Sequence, residues 1–267
     1  MVPGTVAGVL ELAIHAMHVP APAMQALRRV LGRRVLSGER FRAEVYNRYG
    51  LEIGGPSSIF QDAGALPLYR YVACLDNCVF GLETVWEGKR AEGWTFLYHP
   101  RKPRGFHFIS EATDLRRISP ATYDFILSAH CLEHIANPVK ALREWIRIVK
   151  PGGSIIALLP HYQKTFDHRR QPTPLDHMLG DYARGASERD LSHLPEVLAL
   201  HDLSRDTGIS TASDFYQRSL RNFENRCLHH HVFDENNSRK LFEAVGLTVE
   251  VQEFAKPHHI VLLSRCP

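Results

Sequence analysis

The chain predicts an α/β domain built on a mostly parallel sheet of seven strands flanked by helices, with one antiparallel strand. Three observations predict it. Short apolar runs alternate with helical periodicity from about residue 49 onward; the strongest helical pattern lies between two such runs with short connections; and the last two runs are separated only by a short turn containing Pro257. Strand, helix and strand joined by few residues mark a parallel sheet covered by helices, and a short turn between the final runs marks an antiparallel pair at its edge.

The elements follow in order. In GTVAGVLELAIHAMHVPAPAM, Val6, Leu10, Ile14 and Met17 share a helical face, Glu11, His15 and His18 interrupt the apolar run, and Pro20 and Pro22 end it. That is short of the roughly 20 apolar residues a membrane span needs, so a docking helix is expected, with peripheral membrane contact as the alternative. Residues 1–46 are read as a helical region and 47–267 as the main domain. The basic run Arg28, Arg29, Arg33, Arg34, Arg40 and Arg42 reads as a solvated helix face. Strands are expected at GLEIGG, YRYVACLD, GFHFIS, YDFILSA and GSIIALLP, then at LTVEVQEF and HHIVLLSR. Between the fourth and fifth, Asn137 can cap a helix, Pro138 suits its first turn, and Val139, Leu142, Ile146 and Val149 make its apolar face. Pro151-Gly152-Gly153 stops it. A last helix is expected around Ser238 to Val245. The long segment from about 161 to 246, rich in His, Asp, Arg and Asn, reads as a substrate-facing insertion.

A formal net charge of +3 gives no call for a nucleic-acid partner. The five cysteines have no framework spacing and no secretory leader is read ahead of them, which points to free thiols in the cytoplasm.

The stretch LEIGGPSSIF places Glu52 at the end of a strand and Gly54-Gly55 in the turn that follows, where an open α/β sheet takes nucleotide-like ligands. From Gly54 the chain reads Gly, Gly, Pro, Ser, Ser, Ile, so the dinucleotide pattern G-x-G-x-x-G fails and a pyrophosphate is not expected. A ligand with a positive charge and no phosphate suits the turn. Asp76, read at the end of the second strand, could accept both hydroxyls of a ribose, because two carboxylate oxygens match two adjacent donors. After the third strand, Glu111 or Asp114 could accept an adenine amino group, with the amide of Ala112 facing a ring nitrogen.

The block YDFILSAHCLEHIANPVKALREWIRIVKPGGSIIALLP, Tyr123 to Pro160, resembles the central block of class I S-adenosylmethionine-dependent methyltransferases. It has the aromatic-Asp strand, the His-x-Leu-Glu-His turn, the helix and the Lys-Pro-Gly-Gly before a strand. With the turn and Asp76 upstream, the resemblance extends over roughly Leu51 to Pro160 and Leu247 to Arg265. It implies a Rossmann-like methyltransferase fold and S-adenosylmethionine as cofactor, with Glu52, Gly54 and Gly55 at the methionine and ribose end, Asp76 on the ribose, Glu111 and Ala112 at adenine, and His130 beside the methyl group. The departure is in the turn: Pro56 and Ser58 stand at the second and third glycines of the family pattern, and Gly55 occupies a free position.

Methyl transfer to oxygen needs an acceptor held in line and relieved of a proton, a task that suits histidine. Ten of the sixteen histidines fall between His130 and His231. His130, His134, His161 and His168 are the candidates for acceptor binding or proton removal, and a small polar acceptor such as a sugar or glycan intermediate is expected, favouring O-methylation. Two alternatives belong to other classes. One is a non-catalytic cofactor-binding regulator of the same fold. The other is an inverted zinc peptidase, since HCLEH satisfies H-x-x-E-H, although a strand running straight into His130 leaves no helix for it. No metal site is assigned, with the run His229-His230-His231 beside His193 or His201 left open as one.

Overall fold

The computed structural model describes residues 35–85, 88–206, 208–209 and 211–267. The expected N-terminal docking helix and the basic residues Arg28 to Arg34 lie outside them. Within them the chain forms strands β1 (Tyr49–Ile53), β2 (Cys74–Val79), β3 (Glu83–Thr84), β4 (Gly88–Lys89), β5 (Gly93–Phe96), β6 (Gly105–Ile109), β7 (Tyr123–Ala129), β8 (Val149–Pro160), β9 (Thr248–Ala255) and β10 (His259–Arg265). The main sheet has the order β5-β6-β2-β1-β7-β8-β10-β9, and β3 and β4 make a separate hairpin. Strands β6, β2, β1, β7 and β8 run parallel, and β10 runs antiparallel to both β8 and β9.

All seven expected strands are present. The sheet carries an eighth, β5, paired antiparallel to β6 at the edge. Two of its four residues are exposed, so it shows none of the apolar patterning by which the others are read.

Helix α1 (Gly38–Val45) buries Phe41 and Val45 and is tied to the far end of the chain by Glu44, whose two oxygens accept from Arg265 at 2.6 and 2.7 Å. Helix α2 (Pro138–Ile148) begins as expected: Asn137 Oδ1 accepts from the Lys140 amide at 3.0 Å, and Pro138 needs no donor there. Its buried face is Val139, Ala141, Leu142, Trp145 and Ile148, rotated from the expected stripe because Trp145 is fully buried and Val149 already begins β8. Two apolar cores lie on the two faces of the sheet. One holds α2 with Leu51, Ile53 and Ile126; the other holds Phe41, Phe60, Tyr69 and Phe125.

Helices α3 (Leu175–Ala183), α4 (Leu194–Leu200), α5 (Ala212–Leu220) and α6 (Asn222–Asn225) belong to the long segment after β8. Its two ends meet: Tyr162 N donates to Phe233 O at 3.0 Å, and Thr173 N to Val232 O at 3.0 Å. Helix α7 (Glu235–Ala244), capped by Asp234, returns to the sheet and buries Leu241 and Phe242 in its core. No helix among the described residues is long and apolar enough to cross a membrane. All five cysteines are free.

Candidate functional site

Strand order reverses beside β1, whose neighbours are β2 and β7, and at such a switch point the loops at the carboxyl ends part to leave a crevice. A cavity of about 330 Å³ lies there. Its floor is the turn from Ile53 to Ser58, its sides are Cys78 to Phe80 and Ser110 to Thr113, and its far wall is Ala129 to Cys131 with His134, Ile135, Glu188 and Arg226.

The turn is held from below. Gly54 and Gly55 have φ of +79° and +85°, a conformation that side chains with a Cβ resist. The Gly54 amide donates to Cys78 O at 2.9 Å. Glu52 is fully buried beneath the turn and does not line the cavity. Its carboxylate accepts from the Tyr69 hydroxyl at 2.8 Å and from the Ser57 amide at 3.1 Å. Asn77 Nδ2 donates to the carbonyls of Glu52 and Gly54. A Cβ added at Gly55 would lie 2.4 Å from the Glu52 carboxyl carbon. The bare backbone that the family pattern supplies with spaced glycines is supplied here by two adjacent ones, and Ser57 caps the short turn Ser58–Phe60 by accepting from Ile59 N at 3.2 Å.

Asp76 requires a correction. It was expected at the end of its strand, facing ribose. Strand β2 begins later than read and continues through Cys78 and Val79, so Asp76 is its third residue, 2% exposed, and does not line the cavity. Its carboxylate accepts from the hydroxyls of Tyr49 and of Tyr123, the latter at 2.9 Å, and from the Phe106 amide at 2.7 Å. Burial, reinforced by Asp76, holds both phenols well above their usual pKa, so they stay donors. The strand instead delivers Val79 and Phe80 to the cavity.

Of the two acids after β6, Glu111 lines the cavity and Asp114 turns away into an ion pair with Arg116 at 2.6 Å. Ala112 lines it beside Glu111, its carbonyl fixed by the Trp145 indole N–H at 3.1 Å.

His130 and His134 both face the cavity. His130 has φ of +51°, its amide donates to Leu158 O at 3.0 Å, and its Nε2 meets His259 Nδ1 at 2.8 Å. Burial pushes His134 down to about 4, so it is uncharged near neutrality. The positive φ and a turn of only three residues, Leu132–His134, keep these two histidines off any shared helix face, which removes the zinc-peptidase geometry. His161 and His168 were expected near the acceptor and do not line the cavity. His161 Nε2 pairs with Glu235 at 3.0 Å and its Nδ1 accepts from Gln163 N, while His168 Nε2 meets Asp202 at 2.8 Å. His201 is likewise engaged, with Asp206 at 3.1 Å.

Two residues of the long segment went unread in the sequence. Arg226 places its guanidinium 2.6 Å from Glu111 and 3.2 Å from Glu188, and 4.9 Å from the centre of the Phe80 ring. Glu188 also accepts from the Ala136 amide at 3.1 Å. Burial pushes its carboxyl up from 4.5 to about 7, outweighing the pull of Arg226. A carboxyl raised on folding stabilises most fully below its unfolded value, and that contribution is lost as pH rises through the folded one. Thermal melts of Glu188→Gln are therefore expected to lose the part of the wild-type decline that falls between about pH 5 and 8. An unchanged slope there would contradict the assignment.

The cavity suits an adenosyl sulfonium. It is mostly apolar with a few convergent polar groups, as small-ligand sites are. Its floor is uncovered main chain over a buried carboxylate, and Glu111 and Ala112 offer an acceptor and a backbone edge on one side. The departure is at the end of β2, which closes at Val79 with Phe80 after it and presents no acid where a ribose-binding carboxylate was expected.

Residues 70–157 match the model of the methyltransferase domain family. No curated protein matches the chain. Solved structures with a similar course include a S-adenosylmethionine-dependent methyltransferase from Methanosarcina mazei, 12% identical, with 85% of this chain and 96% of that one covered and a TM-score of 0.49. A second, from Aquifex aeolicus, is 13% identical, with coverage of 96% and 97% and a TM-score of 0.45. A third is the 1,6-didemethyltoxoflavin-N1-methyltransferase of Burkholderia thailandensis with bound S-adenosylhomocysteine, 12% identical, with coverage of 92% and 77% and a TM-score of 0.43.

Proposed function

We propose that this chain is a class I methyltransferase that uses S-adenosylmethionine and methylates a hydroxyl of a small polar acceptor such as a sugar or glycan intermediate. The observation that carries the reading is the far wall of the cavity. There His130 and His134 line the cavity, so an acceptor that reaches them meets two imidazoles able to hydrogen-bond it.

The sulfonium of the cofactor supplies a methyl group already activated for transfer. The protein's part is to orient and to exclude water. Gly54 and Gly55 leave the main chain accessible to the methionine end, with Glu52 holding the turn from beneath. Glu111 and Ala112 stand at the adenine end, and Phe80 with Arg226 above it closes that side. His130 and His134 are the proposed acceptor-facing groups.

The test is transfer of labelled methyl from S-adenosylmethionine to a panel of monosaccharides and nucleotide sugars, with peptides and oligonucleotides beside them. Label is expected in the carbohydrate fraction. Label confined to peptide or nucleic acid would overturn the acceptor class. Cofactor binding without transfer to any of them would favour a regulator of the same fold.

A further inference from the structure

The far wall holds a feature that cofactor binding does not use. Glu133 is 1% exposed, and neither of its carboxylate oxygens has a hydrogen-bond partner of ordinary length. Its charged or chargeable side-chain neighbours are His130 Nδ1 at 3.5 Å, at the outer limit of a hydrogen bond, and His134 Nε2 at 4.0 Å. A buried carboxylate held so loosely is costly unless a cation compensates it. Glu133, His134 and His229 each offer one ligand atom, and all three atoms lie within 4.8 Å of one another.

The surroundings orient these groups as a metal site requires. His229 Nδ1 meets Asp167 Oδ2 at 2.5 Å, and Asp167 Oδ1 accepts from Arg170 at 3.0 Å. Arg170 also donates to the carbonyls of His229 and His230 at 2.9 and 3.2 Å. A carboxylate on one ring nitrogen sets the tautomer and leaves the other nitrogen's lone pair for an ion. Burial is complete at Glu133, yet His134 is shared with the cavity, so the group borders the space where an acceptor would enter.

We propose that Glu133, His134 and His229 bind a divalent first-row transition-metal ion at the acceptor-side wall of the cavity. Two imidazoles with one carboxylate suit zinc, iron, cobalt or manganese better than calcium or magnesium, which prefer oxygen alone. Three protein ligands leave coordination for a further oxygen, as catalytic sites do. Only the identity of that oxygen, an acceptor hydroxyl, rests on the function proposed above; the ion does not.

The experiment strips the full chain with chelator and titrates Co²⁺, read by visible absorption and by the rise in melting temperature. The wild type is expected to bind one ion with histidine-ligand absorption, and Glu133→Gln and His229→Gln each to weaken it at least tenfold. His177, Asp181 and His193 also lie within ligand distance of one another, on a more exposed part of the same segment. Asp181→Asn therefore runs in parallel and is expected to keep the ion bound by Glu133. Retention of wild-type affinity in Glu133→Gln, loss confined to Asp181→Asn, or no binding by the wild type would overturn the site. If Glu133→Gln melts before titration, His229→Gln decides in the same way. S-adenosylhomocysteine affinity, measured on the same samples, is expected to stay within twofold. Co²⁺ binding by a wild type that ignores S-adenosylhomocysteine would support the metal site while removing the methyl-transfer reading.

Discussion

Gly55→Val is expected to abolish cofactor binding, raising the dissociation constant of S-adenosylhomocysteine more than a hundredfold. Two costs combine. A residue with a Cβ held at φ of +85° pays about 1–2 kcal/mol for the left-handed conformation. The added carbon would also stand 2.4 Å from the carboxyl of Glu52, which Tyr69 and the Ser57 amide hold in place. The turn must therefore reshape, and the main chain that lines the cavity floor moves with it. Calorimetric titration measures the effect. Ser58→Gly is the matched control: it restores a glycine of the family pattern where the structure needs none, and affinity is expected to change less than threefold. Should Gly55→Val bind normally, or Ser58→Gly bind far better than the wild type, the account of the turn fails.

Asp76→Ala is expected to lower stability by about 3–5 kcal/mol, because it strands one buried and two half-buried donors, each costing about 1–3 kcal/mol when unsatisfied. These are the hydroxyls of Tyr49 and Tyr123 and the amide of Phe106. For a domain of this size each kcal/mol shifts the melting temperature by about 2–4 °C, so the midpoint should fall by roughly 6–20 °C. Cofactor affinity, measured well below that midpoint, is expected to stay within twofold. The opposite pattern, intact stability with a tenfold loss of affinity, would return Asp76 to the ribose.

Asp76 also shows where the sequence stopped being informative. Strands such as β7 and β10 were legible because each is a run of apolar residues long enough to be buried, and α2 because its cap, proline and period agree. An Asp-Asn pair after an apolar run looks locally like a turn. Here both residues are buried in the strand, Asp76 held by Tyr49, 27 residues away, and Tyr123, 47 away, and Asn77 by the Glu52 carbonyl 25 residues back, and no local pattern announces them. The apolar Cys78-Val79-Phe80 just beyond was the available signal that the strand continued. Gly54, Gly55, Glu111 and Ala112 could be read as cavity residues because they follow strand ends directly in sequence, whereas Glu52, read beside them, lies under the turn and off the cavity. Arg226 and Glu188 were not, since Arg226 reaches Glu111 across 115 residues. The histidines divide for the same reason: Glu235 and Asp202, which engage His161 and His168, lie far downstream of them.

The long segment after β8 leaves and rejoins the framework at one seam, with Tyr162 bonded to Phe233 and Thr173 to Val232. A loop closed at its own base transmits little strain to what it is mounted on, whatever its length. Past that seam the segment still reaches back, Arg226 to Glu111 and Glu188 to the Ala136 amide, so a change made within it would be felt on both sides of the crevice at once.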